Sequence, residues 1–138
     1  DDDGRERFRE HVAAAKQDPR TRDAAYLVAA LGHLADRDAA SAEREVQEGL
    51  RGGHDSAALF EAHLDVLLAR KAPIAELQAA ADRLRPLATT AGQLCSLAEA
   101  ALRLGDRNAA LALSARAFER DPRSARCRID ETPDPAPP

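Results

Sequence analysis

The sequence is poor in aromatic and β-branched residues. Its 138 residues include one Tyr, three Phe and no Trp. The apolar content is mainly Ala and Leu, which favour close-packed helices, whereas the residues most common in strands are few. The composition therefore predicts an all-α protein, and the length suits one domain.

Long apolar runs and a concentrated basic face are also missing. The longest apolar runs span only a few residues, far short of the ~20 that cross a bilayer, and no signal peptide is visible. The net charge is -4, with acidic and basic residues interleaved along the chain. We therefore expect no membrane segment within this sequence and no nucleic-acid partner, since a nucleic-acid binder would carry a basic patch.

Motifs that would carry chemistry are lacking as well. The four histidines show no metal-ligand spacing, and the sequence contains no Cys-x-x-Cys pair, Gly-rich phosphate loop or nucleophile elbow. We predict that the chain is not an enzyme, with no catalytic residues, no metal site and no cofactor. Cys95 and Cys127 are too few for a disulfide framework, and whether they pair in space is left open.

Two further scarcities concern the origin of the chain. It contains no Met at all, which we interpret as the mark of an excised domain or a processed product. It has only two lysines, Lys16 and Lys71, and this Arg- and Ala-rich composition is typical of bacteria with GC-rich genomes. We favour a cytoplasmic location, and a periplasmic or membrane-tethered location within a longer chain stays open.

The sequence does have a helical periodicity throughout. It predicts seven helices, over 5–17, 22–35, 39–51, 56–70, 74–85, 91–104 and 107–120. Asp55 and Thr90 are expected N-caps, because a short side-chain oxygen can accept from free first-turn amides. We expect a disordered lead over 1–4, a helical domain over 5–122, and a partial cap followed by a Pro-rich mobile tail over 123–138.

The segment 94–122 is the most informative part of the pattern. It consists of two amphipathic helices around a turn at Gly105-Asp106, a small residue at Ala110, Ala117-Phe118 near the end and a closing Pro122. This order resembles one unit of the tetratricopeptide repeat (TPR), a helix pair that recurs about every 34 residues.

Weaker copies precede this unit. The segment 34–42 matches 104–112 at an offset of 70 residues, while the face of the next helix, from Ala42 to Leu50, matches at 68. We interpret the mismatch as small insertions. The resemblance implies a short right-handed α-solenoid of antiparallel helix pairs, with three pairs and one leading helix, 5–17, that lacks its first helix.

In TPR arrays the first helix of each pair lines the concave side, so the resemblance also implies a binding groove. Helical phase assigns Leu27, Val28, Leu31 and Leu34 to the core. The opposite strip supplies the candidate ligand-binding residues, which are Tyr26, His33, Glu61, Asp65, Ser96, Glu99 and Arg103. The central carboxylates predict a ligand with a basic segment, and Tyr26 predicts a contact with an apolar side chain.

The resemblance predicts a protein–protein interaction module, a scaffold or adaptor that presents a groove to a peptide or partner segment. Three alternatives stay open: a self-assembly element that forms homo-oligomers through its terminal helices, an accessory domain of a larger enzyme or membrane protein, and a secretion-type chaperone. The Lys and Asn clamp of TPR proteins that bind chaperone C-termini is absent from these first helices. The apolar stripe of the last helix, including Leu111 and Phe118, is expected to be covered.

Overall fold

The computed structural model describes residues 1–123, 127 and 129, and this part of the chain is all-helical, as predicted. It contains seven α-helices and, among those residues, no strand. The helices are α1 (Asp2–Gln17), α2 (Arg22–Ala35), α3 (Ala39–Leu50), α4 (Ala57–Ala69), α5 (Ile74–Leu84), α6 (Ala91–Arg103) and α7 (Arg107–Arg120), with a short 3₁₀ turn, Arg85–Leu87, after α5. None of them combines the length and apolarity that a membrane crossing requires.

The helix ends follow from local capping. Thr90 caps α6 as predicted, in a capping box with Gln93 that satisfies backbone amides in both directions. The cap of α4 is Ser56, whose hydroxyl accepts from the Leu59 amide, so the prediction of Asp55 was wrong by one residue.

The amino-terminal residues differ from the prediction of a disordered lead over 1–4. Asp1 caps α1 by accepting from the Asp3 amide at 3.0 Å, and the helix begins at Asp2. Acidic residues in a first turn complement the positive end of the helix dipole, which is why this acidic segment is helical. The predicted mobile tail lies outside the described residues, apart from residues 123, 127 and 129.

Each helix pair turns at the same point of a 34-residue period. α2, α4 and α6 end at residues 35, 69 and 103, and each is followed two residues later by one positive-φ residue, Arg37, Lys71 or Gly105. The next amide then bonds to the carbonyl five residues back, as in a Schellman turn. These bonds are Asp38 to His33 at 2.8 Å, Ala72 to Leu67 at 3.0 Å and Asp106 to Ala101 at 2.9 Å.

This geometry corrects the offset of 70 residues. The caps of α3 and α7 are Asp38 and Asp106, which accept from the amides of Ser41 and Ala109. They lie 68 residues apart, or two periods of 34, so the turn and the following helix share one offset and no insertion is needed between them. The middle pair departs slightly, because α5 begins one residue late, after Pro73.

The helices pack in series around three apolar clusters. The first joins α2, α3 and α4, the second joins α4, α5 and α6, and the third lies between α6 and α7. Most of α4 is buried, because it packs against α2 and α3 on one side and α5 and α6 on the other. The core therefore runs from α2 to α7, as stacked units require.

Small residues allow the two helices of a pair to approach closely. Ala110 and Ala117 of α7 are both almost fully buried, as expected. In the first pair Gly49 of α3 serves the same purpose. A Cβ atom at Gly49 would lie 2.6 Å from Leu59 Cδ2 and 3.1 Å from Tyr26 Cγ, so no larger residue fits without displacing those side chains.

Cys127 and Ile129 cover apolar surface at the carboxyl end of the array. Cys127 forms a disulfide with Cys95 of α6, and its carbonyl oxygen accepts from Ser114 Oγ of α7 at 2.7 Å. Ile129 packs on the same cluster. The prediction that the α7 stripe is covered was wrong for Phe118, which is 57% exposed, because Cys127 and Ile129 pack on the other side of α7, around Ala117.

Candidate functional site

The carboxylates of the predicted groove lie between α4 and α6. Glu61 and Asp65 are 7% and 6% exposed, and Ser96 is fully buried. Ser96 Oγ donates to Asp65 Oδ1 at 2.6 Å. A Cβ atom at Gly92 would lie 3.4 Å from Glu61 Oε2, so the glycine leaves room for that carboxylate.

Burial of two carboxylates in one helix interface is costly unless polar partners surround them. Glu61, Asp65 and Ser96 form contacts beyond those given above, and they belong to a polar seam within the array. These residues were predicted to line an open groove, because the TPR resemblance and the helical phase placed them on the concave side. The structure brings these three residues together, as the helical phase of α4 and α6 predicted, but it encloses them.

The other two residues predicted on α6 are more accessible. Glu99 is half-buried, and Arg103 is exposed in the last turn of the helix. Both follow Ser96 along one side of α6, at intervals of three and four residues, as the helical period requires. Glu99, which also forms a contact of its own, and Arg103 therefore lie at the accessible edge of the seam.

Tyr26 and His33 lie in a different place, in a cleft of about 660 Å³ between α1, α2 and α3. Tyr26 is only 6% exposed and donates from its hydroxyl to Glu48 Oε1 at 3.1 Å. Burial, and then the neighbouring Glu48 carboxylate, raise the pKa of Tyr26. The structure therefore does not place Tyr26 and His33 in the seam with Glu61, Asp65 and Ser96.

Cations surround the Tyr26 ring within this cleft. Lys16 Nζ lies 4.5 Å from the ring centroid, and the Arg22 guanidinium lies 4.9 Å from it. Lys16 also pairs with Glu45 at 2.6 Å, and His33 Nε2 lies 3.8 Å from the same residue. These contacts fix the ring within the fold, so Tyr26 is a structural residue that ties α1 to α2 and α3.

The incorrect assignment of Tyr26 and His33 to the groove has a simple cause. The offset of 70 aligned Tyr26 with Ser96, whereas the observed offset of 68 aligns it with Leu94, a core residue. The same two-residue error placed Val28 and Leu31 in the core. They are in fact 44% and 37% exposed. Their equivalents on α4 are Ala62 and Asp65, which are buried because α4 is packed between neighbouring helices.

The corrected period defines a first-helix strip along α2, α4 and α6. Residues 34 apart take equivalent positions on these helices, since all three end at the same phase. The strip consists of Ala24, Val28, Leu31 and Ala35 on α2, Ala58, Ala62, Asp65 and Ala69 on α4, and Gly92, Ser96, Glu99 and Arg103 on α6. On α2 the strip is apolar and exposed, and on α6 it ends with charged residues.

Comparisons with protein-family models, with curated proteins and with solved structures found no match to this chain. Among residues 1–123, 127 and 129, no three His, Cys, Asp or Glu side chains form a group that could hold a metal ion. The geometry of the helix pairs and the chemistry of the first-helix strip are therefore the features that bear on function.

Proposed function

We propose that the chain is a protein–protein interaction module of the tetratricopeptide type, a scaffold or adaptor that binds a segment of a partner through the accessible residues at the two ends of its first-helix strip. The 34-residue period of its helix ends and turns carries this proposal. That period and the helix–turn–helix unit are the properties by which TPR arrays are recognised.

The strip has two chemically different ends. On α2, Val28 and Leu31 offer exposed apolar side chains, and on α6 Glu99 offers a half-buried carboxylate. An exposed apolar patch next to a charged edge is typical of binding surfaces. The partner segment would place an apolar side chain against Leu31 and a basic side chain near Glu99.

The first helices also suit binding because the core already holds them in place. α4 is buried on most sides, and α6 is fixed by its capping box and by the disulfide at Cys95. A preformed surface loses little conformational entropy when it binds, so the ordering cost falls on the partner segment.

The experiment is a titration of an isolated partner against strip variants. Leu31→Glu should weaken binding about tenfold or more, since it places a charge where an apolar contact is expected. Glu99→Lys should weaken binding and reverse its salt dependence, because the expected attraction becomes repulsion. Leu102→Glu and Glu119→Lys are the matched controls, on exposed positions of α6 and α7 outside the strip.

A partner that binds both strip variants as tightly as the parent would contradict the proposal. Circular dichroism and thermal unfolding of each variant would show that any loss of binding does not come from unfolding. Of the alternatives, self-association through the terminal helices has a direct test. Light scattering over a concentration series tests it, since a constant monomer mass would exclude it.

A further inference from the structure

Exposed apolar side chains concentrate at the amino end of the array. Phe8 of α1 is 48% exposed, Val28 of α2 is 44% exposed, and Leu31 of α2 is 37% exposed. The other large exposed apolar residues in the described part of the chain are single residues on three different helices, namely Ile74, Leu102 and Phe118. Single exposed apolar residues are common, whereas a group of three on adjacent helices requires an explanation.

Val28 occupies a position that is buried in the other pairs. Its equivalents on α4 and α6 are Ala62 and Ser96, both 0% exposed. In each case the preceding first helix covers the position. Ala62 packs in a cluster with Leu27 and other residues of α2, and Ser96 lies against Asp65 of α4. Among the described residues, no such helix precedes α2.

Phe8 shows the same difference on α1. Its equivalents 34 and 102 residues later are Ala42 of α3 and Ala110 of α7, and both are 0% exposed. They lie on the sides of α3 and α7 that pack against the paired first helices, α2 and α6. α1 has no paired first helix among the described residues, and none of its residues is buried.

We propose that Phe8, Val28 and Leu31 form an open end that binds an amphipathic α-helix of a partner, in the place that a first helix takes in the other pairs. The repeat itself defines the chemistry of this helix. The face that α2 turns towards α4 carries Leu27, Ala30 and Leu34, so the docking helix should carry apolar residues at i, i+3 and i+7.

Small residues make the site suitable for a helix. Ala24 and Ala35 lie on the same side of α2 as Val28, and Gly32 lies beside it, where an added Cβ atom would touch Phe8 Cε1 at 3.9 Å. Short side chains allow two helix axes to approach to about 8–10 Å. An extended segment would leave its backbone amides without partners against this apolar surface.

Head-to-tail stacking of a second copy does not fit this surface. The complementary face would be the far side of α6, around Cys95, and that face already carries Cys127 through the disulfide and Ile129 through packing. The occupant that the structure favours is therefore a helix from a partner protein. The open end shares Val28 and Leu31 with the first-helix strip, but helix docking there requires no contact with α6, so Glu99→Lys should leave it unchanged and separates the two proposals.

The test uses a labelled peptide of residues 20–37, which carries the Leu27, Ala30 and Leu34 face. Fluorescence anisotropy against the full chain should show saturable binding. Val28→Arg and Phe8→Arg should each weaken binding by about tenfold or more, since each places a charge in an apolar contact. Leu102→Arg and Phe118→Arg are the controls, with comparable exposure on α6 and α7, and should bind as the parent does.

A second peptide, with Leu27 and Leu34 both changed to Asp, should not bind. The proposal fails if the first peptide shows no saturable binding, or if Val28→Arg binds it as tightly as the controls do. Sedimentation of the chain alone tests the other occupant. A dimer that Val28→Arg converts to monomer would identify a second copy at this surface and would overturn the assignment to a partner helix.

Discussion

The two ends of the array differ in whether their apolar surface is covered. Every helix pair presents apolar surface to its neighbours, so a finite stack leaves one such surface at each end. At the carboxyl end, Cys127 and Ile129 cover the α6–α7 cluster, and a disulfide to Cys95 holds them there. At the amino end, Phe8 and Val28 remain exposed. The comparison shows that, among the described residues, apolar surface is covered at the carboxyl end and exposed at the amino end.

The largest expected difference is between equivalent positions of α2 and α4. Ala62→Arg should lower the free energy of unfolding by about 3 kcal/mol or more, because it buries an unpaired charge in a fully packed interface. Val28→Arg should change it by less than about 0.5 kcal/mol, because that side chain already faces solvent. Urea unfolding of both variants measures the difference. Similar losses of stability would mean that Val28 is as enclosed as Ala62.

The Cys95–Cys127 disulfide at the carboxyl end should have the next largest effect on stability. Changing Cys95 and Cys127 together to Ser should cost about 2–4 kcal/mol, because the bond spans 32 residues and restricts the unfolded chain. Calorimetry with and without a reductant measures this. Reductant should lower the melting temperature of the parent and leave the double variant unchanged. A parent that is insensitive to reductant would show that the bond does not hold the segment in place.

Overpacking within the last helix pair should have a moderate effect. Ala110→Leu should cost about 1–3 kcal/mol, because Ala110 is fully enclosed between α6 and α7. Ala112→Leu, on the exposed side of the same helix, is the matched control and should be close to neutral. Thermal unfolding compares the two, and equal melting temperatures would mean that the assigned face of α7 is incorrect.

The smallest effect concerns a contact between α2 and the loop before α4. His54 Nε2 lies 2.7 Å from Asp23 Oδ2. The hydrogen bond with Asp23 raises the pKa of His54. Burial alone would raise the pKa of Asp23, but hydrogen bonds, first from His54 and then from Ser56, outweigh it and lower that pKa.

The contact should therefore stabilise the fold within a limited pH range. The His54 contribution is complete below its ordinary pKa of 6.5 and is lost as pH rises through the raised pKa. The Asp23 contribution is present above 3.8 and is lost as pH falls through the lowered pKa. The stability difference between the parent and His54→Gln should be largest between pH 3.8 and pH 6.5 and should decline as pH rises through the raised pKa of His54. A difference that is constant across this range would contradict the ion pair.

Much of the fold could be predicted because helix period and capping are local properties. Except at the amino end of α1, the predicted helix boundaries agree within one residue, and Thr90, Ala110 and Ala117 have the expected roles. The helical phase of α2 could not be obtained by aligning identical residues between the repeat units. Asp36 resembles Asp106 in its surroundings, but the hydrogen bond that defines a cap belongs to Asp38. One incorrect pairing at the turn then rotated the whole helix by two positions.

The candidate site was harder to predict because burial depends on which helices are neighbours. Glu61 and Asp65 are charged, and charged residues are usually exposed, yet α6 encloses them. Val28 and Leu31 are apolar, yet they are exposed at the amino end. The Cys95–Cys127 bond joins residues that are distant in sequence, and only the path of the chain after α7 brings them together.

The open amino end can be tested most directly by NMR, with the isotope-labelled chain titrated with the peptide of residues 20–37. The account predicts that the backbone shifts of Phe8, Val28 and Leu31 change together and saturate at one peptide per chain. It also predicts that shifts around Cys95 and Ala117, at the covered end, stay constant. Shift changes confined to the covered end, or none at Val28 at saturating peptide, would contradict it.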